Sequence, residues 1–490
     1  MRTGSSSFAT ALVASILVAA CAAPAPSSRS PVTSPAASAQ SALPTPPVSV
    51  DASAPSASPV STSTATLPVT GVDDPLNTIK IAPAPDGSLY ITIGTKAGTV
   101  LARLDSAGRV SEGWPILLER WTYCTRPAAA GDGSVRVVCI DDEDEDNVAF
   151  AFDADGRGRS GWPVGLPGGL RVFDHREEPR VMDGTLTIVA TEVILIPNSG
   201  GAPDHTEVRL VNVAAHGTVG TGAQVSTACC LGESRLSPDG IGYAMSQLEK
   251  NGSLTATITA FDMNGLRSGW PITIPGQASA PAFGPEDSAY IAIGLPGAGP
   301  TGLAVFDRDG RPLSSDADLM PIASSSEWYG AGELTGRPVV ADEGTAFLIE
   351  AGDAMTVYAV DPTGRALPGW PYRSRTPMQN LGGCTGLDQG CGWFRSLPAV
   401  GQGPVLYLLL APSSSSLGGS IVAIGRDGTV RPGWPVGLRR AGSVFSSVSI
   451  GHDGTVFAVA VERETNGRSV TVLGIEPDSS VRYRTTIVGH

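Results

Sequence analysis

The sequence predicts an all-β protein, an eight-bladed β-propeller of four-stranded antiparallel blades, placed behind a signal peptide and a disordered linker. Three observations carry that prediction. Sixty glycines and forty prolines make up about a fifth of the 490 residues, where about 12% is usual, and both are costly inside helices. Charged residues are only 16% of the chain, against about 25% in typical domains, while hydrophobic residues reach 41%. The third observation is a sequence frame that returns eight times after Gly71.

The frame has two phrases. The first is a tight turn before a strand-like run, as in Asp86-Gly87 before Ser88-Leu89-Tyr90-Ile91-Thr92-Ile93. It returns at Asp132-Gly133, Asp183-Gly184, Asp239-Gly240, Glu286-Asp287, Asp342-Glu343-Gly344, Gly403-Pro404 and Asp453-Gly454. From Gly87 to Gly454 the period is about 52 residues. The second phrase is an apolar strand, an Asp-x-x-Gly turn and then Gly-Trp-Pro. It runs from Asp105 to Trp114-Pro115, Asp153 to Trp162-Pro163, Asp262 to Trp270-Pro271, Asp361 to Trp370-Pro371, and Gly425 to Trp434-Pro435. The third, fifth and eighth units lack the Trp, and the fifth keeps the strand and turn as Ala304-Val305-Phe306-Asp307-Arg308-Asp309-Gly310.

Each unit reads as four strands. The first is short, often beside a proline (Pro83, Pro127, Pro179, Pro281, Pro338, Pro398), and ends in the first turn. Asp-Gly between apolar runs signals a hairpin, because Gly accepts positive φ. The second strand follows, the third runs into Asp-x-x-Gly, and the fourth carries Gly-Trp-Pro. Neither end resembles a solenoid cap, so the units are expected to close into a ring. The first or last strand is expected to complete a shared blade, since closure protects sheet edges.

Ahead of the repeats lie two other segments. Arg2 precedes an apolar run, Phe8 to Ala20, too short to span a bilayer, which reads as a signal peptide over residues 1–20. Its end, Val18-Ala19-Ala20-Cys21, resembles the lipobox of bacterial lipoproteins, which implies acylation of Cys21 and a membrane-lipid anchor at the cell surface or in the periplasm. Residues 21–71 hold that cysteine and an Ala/Pro/Ser/Thr-rich stretch with Arg29 and Asp51 as its only charges before residue 70. Such a stretch cannot bury enough surface to offset ordering entropy, so it reads as a disordered stalk. Residues 72–490 are left for the propeller.

The Ala-x-Asp-x-x-Gly phrase before a Trp, in a four-strand unit, resembles the repeat of PQQ-binding-like propellers, the quinoprotein alcohol dehydrogenase-like group. The resemblance covers Val72 to His490. It implies the propeller fold, with the repeated Trp packed between neighbouring blades, and it leaves function open because many members are scaffolds or binding modules.

In a propeller, the loops between blades and those between second and third strands share one face, the usual binding surface. Three tryptophans fall outside the frame and on such loops: Trp121, Trp328 and Trp393, beside Tyr123, Tyr329 and Phe394. Exposed aromatics grip ligands; the alternative reading is a loop folded back over its own blade. Arg126, Glu178, Arg337 and Arg395 stand at or just before first strands, where they can face the central channel; arginine forks recognise carboxylates and phosphates. Trp121, Tyr123, Trp328, Tyr329, Trp393 and Arg395 are therefore the candidate ligand-binding set.

Six cysteines remain after Cys21: Cys124, Cys139, Cys229, Cys230, Cys384 and Cys391. An even count in an exported chain suggests disulfides. A hairpin centred between Gly131 and Asp132 places Cys124 opposite Cys139. Cys384 and Cys391 would close a tight loop, which leaves the adjacent pair Cys229-Cys230. Several PQQ-dependent dehydrogenases carry a disulfide between neighbouring cysteines against the quinone, so the resemblance also implies a PQQ and calcium enzyme as the alternative. The family's calcium ligands and catalytic Asp match no motif here, and no cofactor is expected. The acidic run at Asp141, Asp142, Glu143, Asp144, Glu145 and Asp146 offers oxygen ligands for calcium but lacks a calcium-loop pattern, so a solvated hairpin tip is the plainer reading.

No nucleophilic triad, nucleotide loop or zinc spacing stands out, and His175 and His205, on expected upper loops, show no ligand spacing. The net charge of −14 argues against nucleic acid. The sequence thus points to a lipid-anchored, extracytoplasmic propeller, more a non-catalytic binding or scaffold module for a protein, glycan or small molecule than an enzyme.

Overall fold

Eight antiparallel sheets, one per sequence unit, form a β-propeller in the computed structural model. The structure describes residues 64–69, 78–121, 123–140, 147–168, 179–195, 203–228, 231–250, 253–295, 299–313, 338–351, 355–374, 398–410, 418–464 and 467–489. Blade 1 shows the pattern: Ile79–Pro83 innermost, then Leu89–Thr95, Gly98–Leu104 and Ile116–Glu119 outermost. Blades 2 to 8 follow over 123–165, 180–228, 231–275, 277–306, 339–374, 399–437 and 444–489.

Each blade is covered on both faces by its neighbours. Its central strands are therefore buried on both sides, which explains why Leu89–Thr95 and Val405–Leu410 are unbroken buried runs rather than alternating ones. The core is correspondingly divided into layers between blades. One packs Tyr90, Leu101 and Trp114 of blade 1 on Val135, Val137 and Cys139 of blade 2, and another packs Tyr407 and Trp434 of blade 7 on Phe445, Ala458 and Leu473 of blade 8.

The first turns form where the sequence puts them. Gly87, Gly133, Gly184, Gly240, Gly344, Gly403 and Gly454 all take positive φ, and blade 5 uses Glu286 and Asp287 there instead. The turn aspartate locks the bend: Asp86 Oδ1 accepts from the Ser88 backbone N–H at 3.0 Å and the Ser88 hydroxyl at 2.6 Å. Both turns of a blade lie on one face. Gly87 sits against Ser106 of the Asp105 turn, and Arg103 pairs with Asp86 at 2.5 Å. We call this the turn face and the opposite one the loop face.

The Gly-Trp-Pro phrase stands just ahead of the outer strand and acts as a latch to the next blade. The indole N–H groups of Trp114, Trp162, Trp270, Trp370 and Trp434 donate to the carbonyls of Ala154, Ala215, Arg308, Arg426 and Pro477, at 2.8–3.3 Å. Every acceptor lies in the second turn of the following blade. All five Trp-Pro peptide bonds are cis. The preceding glycine is dictated by close approach as well as by φ: a Cβ at Gly369 would stand 2.0 Å from the Asp427 carbonyl oxygen, and Gly113, Gly161 and Gly269 meet the same turn carbonyl at 2.0, 2.2 and 1.9 Å. The repeated Trp is thus structural, as its periodicity implies.

Two arrangements depart from the sequence reading. Blade 5 contributes four described strands, but Gln277–Ala278 and Ala282–Phe283 are two halves of its inner strand, both paired to Ala289–Leu295. The ring is closed differently too. Blade 8 draws all four of its strands from 444–489, and Thr64–Val69 adds a fifth, parallel to Val481–Gly489. No shared blade is needed, because Leu67 and Val69 cover the outer edge and join the buried layer between blades 8 and 1. With no Trp in blade 8, Tyr483 supports the Gly108 turn of blade 1 there, and the Thr485 hydroxyl donates to the Gly108 carbonyl.

Candidate functional site

The loop-face part that the described residues show best is the seam of blades 1 and 2. Its inner strand in blade 2 is broken between Tyr123–Cys124 and Ala128–Ala129. Pro127 has no N–H to give the ladder, so the chain bulges at Thr125. The Thr125 N–H donates to the Val138 carbonyl at 2.7 Å, while the Thr125 hydroxyl accepts from the Val138 N–H at 3.1 Å. Blade 5 repeats the device with Ser279, whose N–H and hydroxyl engage Ala292 in the same way ahead of Pro281. A hydroxyl two residues before an inner-strand proline is the signal that sequence reasoning passed over.

The bulge directs Arg126 across the seam, where its Nε donates to the Ile81 carbonyl at 2.5 Å. Lys80 reaches the other way, its ammonium donating to the Cys124 carbonyl at 2.5 Å. Arg180 does likewise between blades 3 and 4, with Nε 3.3 Å from the Leu236 carbonyl. These cations bond carbonyls of neighbouring inner strands.

Just above, Cys124 and Cys139 form the expected disulfide between facing residues of adjacent strands. The hairpin is centred on Asp132 (Ala129 faces Val135) rather than between Gly131 and Asp132, and the Thr125 bulge shifts the register by one to bring the cysteines opposite. Trp121 lies half-buried against the third strand of blade 2, its ring edge-on to Phe150 at 5.9 Å. The Arg120 guanidinium covers it at 4.9 Å. Tyr123 remains 45% exposed beside the disulfide, so of this pair it is the ring that faces solvent. The structure therefore brings Trp121, Tyr123, Cys124 and Arg126 together.

The other sequence candidates lie outside the described residues: Cys21, Glu178, Cys229, Cys230, Trp328, Tyr329, Arg337, Cys384, Cys391, Trp393, Arg395, His175, and the acidic run with Asp141, Asp142, Asp144 and Asp146. His205 belongs to the strand Pro203–Val213 rather than to a loop, with Nε2 3.6 Å from Glu207.

The shifted titrating groups lie on the turn face and in the seams. Burial alone would raise the Asp132 carboxyl, but hydrogen bonds from Ser134 and the Arg159 guanidinium outweigh it and hold the group at about 2. Burial pushes the Tyr90 phenol up to about 12, while its hydroxyl donates to the Gly133 carbonyl of the next blade at 2.5 Å. Both are engaged in holding turns and blades together. Among the described residues no group of three or more His, Cys, Asp and Glu side chains gathers around a metal position, and no helix is long and apolar enough to cross a membrane.

No protein-family model matches the chain, and no curated protein matches it. Among solved structures it is similar to one from a study of two prolyl endopeptidases, at 14% identity and a TM-score of 0.43 over 79% of this chain and 53% of that one. The chain thus spans about half the length of that enzyme. It is also similar to virginiamycin B lyase from Staphylococcus aureus, at 10% identity and a TM-score of 0.35, covering 80% of this chain and 94% of that one. The polysaccharide lyase Uly1 gives 9% identity and a TM-score of 0.37, with 72% and 90% covered. Likeness at this level assigns no activity, and the propeller itself rests on the strand order and the blade-to-blade latches described above.

Proposed function

We propose that the chain is an extracytoplasmic propeller, anchored through an acylated Cys21, that works as a non-catalytic binding or scaffold module and takes its protein, glycan or small-molecule partner on the loop face. The observation that carries this reading is the division between the two faces. The turn face repeats one construction from blade to blade, and its aspartates are committed to turns and arginine pairs, as at Asp86, Asp132 and Asp453. On the loop face Tyr123 stands exposed on a strand pinned by the disulfide. A rigid aromatic loses little conformational entropy on binding.

The path of the chain agrees with this assignment. Thr64 pairs with Arg484 and Val69 with Gly489, so the strand runs along the rim of blade 8 from its turn side towards its loop side. The chain therefore enters the described propeller on its turn side, at Thr64.

The test has three arms. Cys21→Ser should move the full chain from the membrane to the soluble fraction. Replacing Tyr123, Trp328 and Trp393 with Ala should leave the fold intact and weaken glycan-array or envelope-protein capture. Titration with PQQ plus calcium should give no saturable change in quinone absorbance. Membrane retention of the serine variant refutes the anchor, unchanged capture refutes the binding face, and a saturable quinone shift refutes the non-catalytic reading.

A further inference from the structure

We propose that the seam of blades 4 and 5 binds a divalent cation of the calcium class on the turn face, between the carboxylates of Asp239 and Asp287. At the turn where most blades carry glycine, blade 5 carries Pro285-Glu286-Asp287, and both acidic residues take positive φ, 55° and 58°. The turn aims Asp287 back into blade 4. Only 4% of this residue is exposed. Its Oδ2 accepts from the Ser237 hydroxyl at 3.1 Å, and its Oδ1 stands 3.4 Å from the Asp239 backbone N–H. Asp239 itself carries the second carboxyl, so two acidic residues from two blades meet at this turn.

A separate observation points to a ligand. Tyr243 is fully buried, and its hydroxyl has no hydrogen-bond partner among the described residues. Its counterpart in blade 1, Tyr90, is likewise the second residue of its second strand and donates to the first turn of the next blade, at Gly133. From the same position Tyr243 faces the first turn of blade 5, and Asp287 is the charge that acts most strongly on its phenol. An orphaned buried hydroxyl costs stability, which a ligand would recover.

The donors are then the carboxylates of Asp239 and Asp287 and the hydroxyls of Ser237 and Tyr243. All are oxygens, which selects a hard cation, and irregular spacing favours calcium over the strictly octahedral magnesium. Two carboxylates fall short of a three-acid cluster, but Asp239 is exposed and lets water complete the shell. Arg267 of the same blade is turned to Asp262 at 3.4 Å and Asp309 at 3.8 Å.

Terbium luminescence tests the site in the full chain. The Tyr243 and Trp270 rings, with centroids 5.3 Å apart, would sensitise a lanthanide bound there. Terbium should give saturable emission that calcium displaces with a Kd of about 0.1–1 mM, the range of extracellular modules. Asp239→Asn alters an exposed residue and keeps the fold, and it should weaken calcium at least about tenfold. Tyr243→Phe should weaken it as well, while Asp453→Asn, at a turn paired with Arg482, should leave it unchanged. Absence of sensitised emission up to millimolar terbium overturns the proposal, as does calcium displacement that Asp239→Asn leaves intact.

Discussion

Gly364 and Gly369 offer a matched pair for measuring what blade-to-blade docking contributes. They lie five residues apart in blade 6 with φ of +83° and +87°. Alanine at either position must adopt a left-handed conformation at a cost of about 1–2 kcal/mol. A Cβ at 364 meets nothing within 4 Å, so strain is its whole effect. At 369 the Cβ would stand 2.0 Å from the Asp427 carbonyl oxygen and 2.9 Å from its carbon, both backbone atoms of blade 7. Carbon–oxygen contacts settle near about 3.3 Å, so that turn must retreat by about 1 Å. Overpacking of this kind costs about 1–3 kcal/mol. The retreat also disturbs the Trp370 N–H bond to Arg426, 2.8 Å long, worth about 1 kcal/mol. Gly364→Ala should therefore destabilise by about 1–2 kcal/mol and Gly369→Ala by about 3–6 kcal/mol. Urea unfolding followed by tryptophan fluorescence measures both. Equal losses would show that backbone conformation alone selects glycine before the Trp, and would refute the docking argument.

Two further outcomes follow from the seam of blades 1 and 2. Cys124 and Cys139 are 15 residues apart, and in the loop-entropy account their bond contributes about 3 kcal/mol. Replacing both with Ser should lower the denaturation midpoint in non-reducing buffer by the equivalent of about 3 kcal/mol, and an unchanged midpoint would refute the contribution. Asp132, held at about 2 by its hydrogen bonds from Ser134 and Arg159 and so below the ordinary aspartate range, stabilises the fold fully above about pH 4, and that stabilisation is lost as pH falls towards 2. Asp132→Asn should reduce stability at neutral pH and flatten the acid limb, by about 1 kcal/mol or less, because the side chain is 54% exposed. An acid limb of unchanged steepness would place the linkage at other carboxylates.

The repeat made much of this architecture legible. Turn glycines, apolar runs and Gly-Trp-Pro recur at a fixed spacing, and physical demands on a backbone that must bend at φ near +80° leave little choice of residue. The hairpin also put Cys124 close to Cys139, but the exact pairing depends on the bulge at Thr125, which shifts the register by one residue. The exceptions were less legible. Trp121 and Tyr123 are both loop aromatics in the sequence, yet one packs on Phe150 and the other faces solvent. Only contacts between blades separate them.

By itself the sequence determined the local rules: where each strand ends, how many units there are, and which Trp belongs to the frame. Tertiary structure decided what those rules meet. It set Thr64–Val69 on the rim of blade 8, carried Arg126 to Ile81 and Lys80 to Cys124, and brought Asp287 onto the turn of the preceding blade. Such contacts join residues up to 420 positions apart, as in Thr64 with Arg484, and depend on how the ring closes. A period of about 52 residues describes one blade at a time and holds no record of what the next blade presents.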